Sequence, residues 1–164
     1  MGMLTDDMQR VVREQRLGFV ATVCPDGTPN LSPKGTLTVW DDDHLVFADI
    51  RSPATLRNLR INPAVEVNVV DPIARKGYRF KGKAMVVDRG PLREEVREFY
   101  SSRWIDTGKD MRELELRSFV LIKVEEALPL VSPSYDGSQT TEDKIRAAWW
   151  KHYQGLQPKA KTHR

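Results

Sequence analysis

The sequence predicts a mainly β domain with flanking helices, a six-stranded antiparallel barrel closed on itself. Three observations predict it. Apolar and polar residues alternate with period two through several runs, most cleanly from Ala64 to Val70. Tight-turn signals, Asp26-Gly27 and the Asp41 to His44 cluster, separate the first of these runs into a meander. Helical spacing is confined to a few short segments, which places helices at the edges of the barrel. Closure would also remove the exposed edges that an open sheet presents.

The elements follow in order. Thr5 or Asp6 can cap a helix through about Gln15, with Asp6 and Gln9 at capping-box spacing and Met8, Val11 and Val12 as its apolar stripe. Leu17 to Cys24 reads as a strand, Pro25 to Thr28 as its turn, and Pro29 to Trp40 as the return strand. Leu45 to Asp49 is the third strand. A helix over 50–61 takes Ser52 as its cap and Pro53 as its first residue, and Asn62-Pro63 ends it, because proline pushes the preceding residue out of helical space. Ala64 to Val70 puts Val65, Val67 and Val69 on one face, with Glu66 and Asn68 on the other. Tyr78 to Val87 is the next strand. A helix from Pro91 buries Leu92, Val96, Phe99 and Tyr100, and Ser118 to Val131 is the last long strand. The expected organisation is a barrel over 1–131, an extended linker over 132–141 leading to a helix from Glu142 to Tyr153, and a polar, basic, disordered tail over 157–164.

Composition narrows the class. Of 164 residues, 40% are hydrophobic and 30% charged, the balance of a water-soluble globular chain. No apolar run approaches the roughly 20 residues of a membrane helix, and the first residues lack a secretory pattern. The single cysteine, Cys24, needs no oxidising compartment, so the expected location is the cytoplasm. The net charge of +3 suits an anionic small ligand as well as a nucleic acid. Nucleic-acid binding would need aromatic and basic residues on one face, and alternation turns Phe80 away from Arg79 and Lys81. Three histidines are scattered without metal-ligand spacing, and there is no Gly-rich dinucleotide fingerprint or Walker loop. No side chain announces a nucleophilic or metal-dependent reaction, so any catalysis would fall to a bound cofactor.

Three segments can hold an anion. In the first turn of the 50–61 helix, free backbone N–H groups and the helix dipole join Arg51 and the hydroxyls of Ser52 and Thr55. Ser52-Pro53 is equally an ordinary helix start. Ser32, Pro33, Lys34, Gly35 and Thr36 place a proline and a glycine inside a strand, which marks a bulge or a close ligand approach beside a cation. The alternative is an exposed edge strand. Arg79, Lys81 and Lys83 share one strand face, either as an extension of an anion site or as the wet face of a barrel strand.

Taken together, Gly18-Phe-Val-Ala-Thr22, Asp26-Gly-Thr-Pro29, Ser32-Pro-Lys-Gly35, Leu45-Val-Phe-Ala48, Asn58-Leu59, Asn62-Pro63 and Arg79-Phe-Lys-Gly-Lys-Ala84 give a chain that resembles the FMN-binding split-barrel family related to pyridoxamine 5′-phosphate oxidase. The resemblance covers roughly residues 5 to 131 and is nearest to the small flavin-nucleotide-binding members. It implies a homodimer with FMN held at the subunit interface. It also implies that Arg51, Ser52 and Thr55 bind the phosphate, that the Ser32 to Thr36 strand runs along the isoalloxazine with Lys34 near its polar edge, that Arg79 and Lys81 approach from the same groove, and that Asp49, Asn58 and Leu59 belong to the cofactor-binding set. Two departures stand out: Thr55 occupies a position where many relatives carry lysine, and the C-terminal Lys-Ala-Lys-Thr-His-Arg does not match the arginine motif of the oxidase itself. Either an FMN-dependent oxidoreductase or a non-catalytic flavin-binding, electron-transfer module satisfies this reading. Haem or a deazaflavin could take the place of FMN in such a barrel. Tyr135, Trp149 or Trp150 could cover the flavin.

Overall fold

The structure is a computed structural model that describes residues 2–103, 105–106, 109–110, 116, 118–137 and 139–156. The expected disordered tail over 157–164 lies outside the described residues. The chain runs α1 (Asp6–Gln15), β1 (Gly18–Val23), β2 (Pro29–Lys34), β3 (Thr38–Val39), β4 (His44–Asp49), α2 (Pro53–Ile61), β5 (Ala64–Asp71) and β6 (Lys76–Val87). It continues through α3 (Pro91–Arg103), the short ladder of β7 (Ile105–Asp106) and β8 (Lys109–Asp110), β9 (Ser118–Val131), a 3-10 turn (Pro133–Asp136) and α4 (Glu142–Gly155).

Seven strands form one antiparallel sheet in the order β2-β1-β5-β6-β9-β4-β3. The seventh arises because the expected strand from Pro29 to Trp40 is broken at Gly35–Leu37 into β2 and β3. At the break, Thr36 takes over from the backbone: its Oγ1 donates to Ala48 O at 2.8 Å and accepts from Ala48 N at 3.0 Å. The β1–β2 hairpin turns at Asp26-Gly27, where Gly27 has φ 81°, a conformation that favours glycine.

The sheet curls around a core that draws Val20 from β1, Leu45 and Phe47 from β4, Val65, Val67 and Val69 from β5, Phe80 from β6, and Val120 and Ile122 from β9. Val12 of α1 and Leu56 and Leu59 of α2 complete it. A second cluster lies on the other side of β4 and β9, where Val96 and Tyr100 of α3 pack on Val46, Ala48 and Phe119. This explains why β4 reads as a continuous apolar run: both of its faces are covered. On the open face of the sheet, Phe19, Leu31, Met85 and Leu128 are exposed.

Two local expectations are corrected. Of the two caps offered for α1 the structure uses Thr5, and the expected Asp6–Gln9 capping box does not form: Gln9 donates instead to Leu4 O and Asp42 Oδ1, both at 3.0 Å. Residues 133–136 form a 3-10 turn where an extended linker was expected. No helix among the described residues is long and apolar enough to cross a membrane.

Candidate anion site between β2 and α2

Alternation along β2 sends Asn30, Ser32 and Lys34 toward the interior and leaves Pro29, Leu31 and Pro33 exposed. Lys34 ends the strand with 4% of its surface accessible. Its Nζ donates to Ser32 Oγ and to Ser52 Oγ, each at 2.6 Å, and lies 5.5 Å from the centre of the Phe47 ring. Two of the three candidate segments therefore meet at one ammonium group.

The meeting alters the start of α2. Ser52 stands at the N-cap, yet its hydroxyl makes no capping bond to the helix; it accepts from Lys34 instead. Ser52 N donates to Asp49 Oδ1 at 3.0 Å, which ties the end of β4 to the helix start. Pro53 follows as the first helical residue, where its missing N–H costs nothing. The first-turn amides of α2 are thus left for another acceptor.

Electrostatics favour an anion here. Among the described residues no carboxylate lies within ion-pair distance of Lys34 Nζ; its partners are neutral hydroxyls. Burial pushes the amine below its usual value, and the charge of Asp49 offsets part of that shift. A buried cation bonded only to hydroxyls is a standing desolvation cost, which a phosphate could offset.

The remaining candidates divide. Arg51 is exposed beside this cluster, and Pro33 and Gly35 are exposed on the adjoining strand end. Nothing lies within 4 Å of the position a Gly35 Cβ would take, so the backbone there is open to a ligand. Thr36, in the break between β2 and β3, is buried against Ala48 of β4. Thr55, Asn58 and Leu59 are buried on the inner side of α2. Asn58 Nδ2 donates to Thr22 Oγ1 at 3.1 Å and contacts Cys24 Sγ at 3.4 Å.

Arg79 and Lys81 lie elsewhere. Phe80, paired with Val67, points into the core, so its neighbours point out of the opposite sheet face, away from Lys34. There Arg79 pairs with Glu66 at 3.1 Å, Lys81 with Glu126 at 3.8 Å and Lys83 with Glu125 at 3.7 Å. Within one chain the structure does not bring them to the β2–α2 site. Tyr135 and Trp149 sit on the β5–β6 hairpin: Tyr135 donates to Ala74 O at 2.6 Å, and Trp149 carries the Arg75 guanidinium 4.2 Å above its ring. Trp150 is 58% exposed. No group of three or more potential metal ligands occurs among the described residues.

Sequence reasoning passed over Phe47, Thr22 and Asn30. The signal for Asn30 was present, since Asn30, Ser32 and Lys34 share one strand face by simple alternation.

Known proteins place this architecture. HupZ of Group A Streptococcus is 28% identical, with 79% of this chain and 96% of that one covered and a TM-score of 0.67. An FMN-binding protein from Syntrophomonas wolfei shares the fold at 14% identity, with 79% and 87% covered and a TM-score of 0.63. HutZ, a haem storage protein from Vibrio cholerae, shares it at 22% identity, with 80% and 95% covered and a TM-score of 0.61. Comparison with curated proteins returns no match. The family model described as pyridoxamine 5′-phosphate oxidase matches residues 4–130. That span holds the seven-stranded sheet except the last residue of β9, together with Lys34, Ser52 and the start of α2, and the chain belongs to the pyridoxamine 5′-phosphate oxidase family.

Proposed function

We propose that this protein is a cytoplasmic, FMN-binding homodimer that acts as an FMN-dependent oxidoreductase, with residues 1–131 as the flavin-binding unit. The observation that carries this reading is the Lys34 ammonium, buried on Ser32 and Ser52 at the start of α2 without a carboxylate partner among the described residues. This donor set fits a phosphate monoester: one cation, two hydroxyls and first-turn amides. Lys34 and Ser52 then hold the phosphate, Arg51 adds a second cation at its exposed side, and Asp49 keeps the Ser52 N–H in place. The open backbone at Pro33 and Gly35 leaves room for the ring. This moves Lys34 from the polar edge of the flavin ring, where the family resemblance put it, to the phosphate.

Bound flavin supplies the electron-transfer chemistry; the chain binds and orients it. Arg79 and Lys81 reach such a site only from a second copy, because in one chain they occupy the opposite sheet face. The apolar Phe19, Leu31, Met85 and Leu128 on that face support its use in dimer contact. The test is an absorption spectrum of the purified protein before and after FMN is added and the excess removed. Retained flavin bands support the reading. Retention of haem or a deazaflavin in place of FMN overturns it. Flavin bound but never reduced by nicotinamide donors would leave the non-catalytic, electron-transfer module.

A further inference from the structure

Lys34 and Ser52 join β2 to α2 at one end of their contact. The same two elements meet again on a single hydroxyl. Thr22 of β1 stands opposite Asn30 of β2 in the strand register and is 3% exposed. Its Oγ1 accepts from Asn30 Nδ2 of β2 and from Asn58 Nδ2 of α2, each at 3.1 Å. A hydroxyl oxygen has two lone pairs, and both are used.

Spacing gives this arrangement its leverage. Asn30 and Lys34 are four residues apart on one strand face, about 13 Å. Ser52 and Asn58 are six residues apart, about 9 Å along the helix axis. A single contact would let α2 pivot on β2. Two contacts this far apart fix both angle and distance, which the non-directional packing of Leu56 and Leu59 cannot do alone. The polar tie also carries a cost: Asn58 is fully buried and its Oδ1 has no partner among the described residues, a penalty that an apolar residue would avoid.

We propose that Thr22 is a positioning residue whose hydroxyl, by holding Asn30 and Asn58 together, sets the separation of Lys34 from Ser52 and so the fit of the site to a phosphate group. The inference rests on the FMN reading given above. Thr22→Val preserves shape and removes the acceptor. Titrations with FMN and with riboflavin, which lacks the phosphate, separate a positioning effect from general loosening. FMN affinity falls about tenfold, the scale of one lost hydrogen bond, while riboflavin affinity stays within about twofold and Thr22→Ser restores FMN binding. Unchanged FMN affinity, or an equal fall for both ligands, overturns the proposal. If Thr22→Val does not fold, Asn30→Ala at the sheet edge removes one of the two ties and shows the same selective loss, about threefold.

A flavin-free readout distinguishes this inference from the reading beneath it. The Lys34 amine, followed by carbon NMR at Cε, titrates below the ordinary value in the wild type and returns toward it in Thr22→Val. An identical midpoint in both overturns the proposal whatever the flavin does. A wild type that retains no FMN overturns the FMN reading alone.

Discussion

Lys34→Met tests whether the buried cation serves a ligand or the fold. Lys34 is 4% exposed and its ammonium bonds only to the Ser32 and Ser52 hydroxyls. Methionine fills a similar volume without a charge to desolvate, so the ligand-free variant gains stability, by about 1 kcal/mol on the scale seen when buried charges give way to apolar residues. For a chain of this length that raises Tm by about 2–4 °C. The same change removes a charge-assisted bond to phosphate, about 1.5–3 kcal/mol, and weakens FMN binding about 10- to 150-fold. Riboflavin binding is left near its wild-type value. The pH dependence follows from linkage: burial lowers the amine's folded value below 10.5, so between that value and 10.5 the unfolded chain holds more protons than the native one. Wild-type stability therefore rises through this window, and the advantage of the variant, full at neutral pH, closes toward pH 10.5. Thermal melts across pH and paired flavin titrations measure both effects. A ligand-free variant less stable than the wild type, with FMN affinity unchanged, would refute the reasoning.

Three further outcomes are expected. Phe80→Ala, in the centre of the main core and fully buried, costs about 3–5 kcal/mol in denaturant unfolding. Gly82→Ala drives a Cβ into Lys123 O across the β6–β9 pairing and costs about 1–3 kcal/mol as the strands part, read in the same way. Lys76 and Arg146 hold the Glu142 carboxyl below its ordinary value of 4.5. The docking that depends on it is full above pH 4.5 and is lost as pH falls through the lowered value. Fluorescence of Trp149, stacked on Arg75, reports that release, with Trp149→Phe as the control; a signal flat from pH 6 to 3 would count against it.

Much of this fold was legible in local chemistry. The Asp26-Gly27 turn, the strand from Leu45 to Asp49, and the bounds of α2 at Pro53 and Asn62-Pro63 all follow from neighbours in sequence. What escaped depends on distant partners. Ser52 caps no helix because Lys34, 18 residues away, takes its hydroxyl. Gln9 leaves the capping box for Asp42, 33 residues away. The strand from Pro29 breaks where the Thr36 side chain finds Ala48 on the neighbouring strand β4. The three anion-site segments were each visible, but which of them converge was not. Period-two alternation places Lys34 and Arg79 on faces without saying that the faces are opposite ones until the register of β1, β5 and β6 is known.

The two outermost strands of the sheet, β2 and β3, are consecutive in the chain and joined by only three residues. The two edges are therefore held near one another by a covalent tether that spans at most about 14 Å. A new chain terminus introduced at Gly35, with the old ends joined, would cut that tether. It would leave every ladder bond available while freeing the two edge strands, neither of which has a second strand partner among the described residues, to part from one another and pair with other molecules.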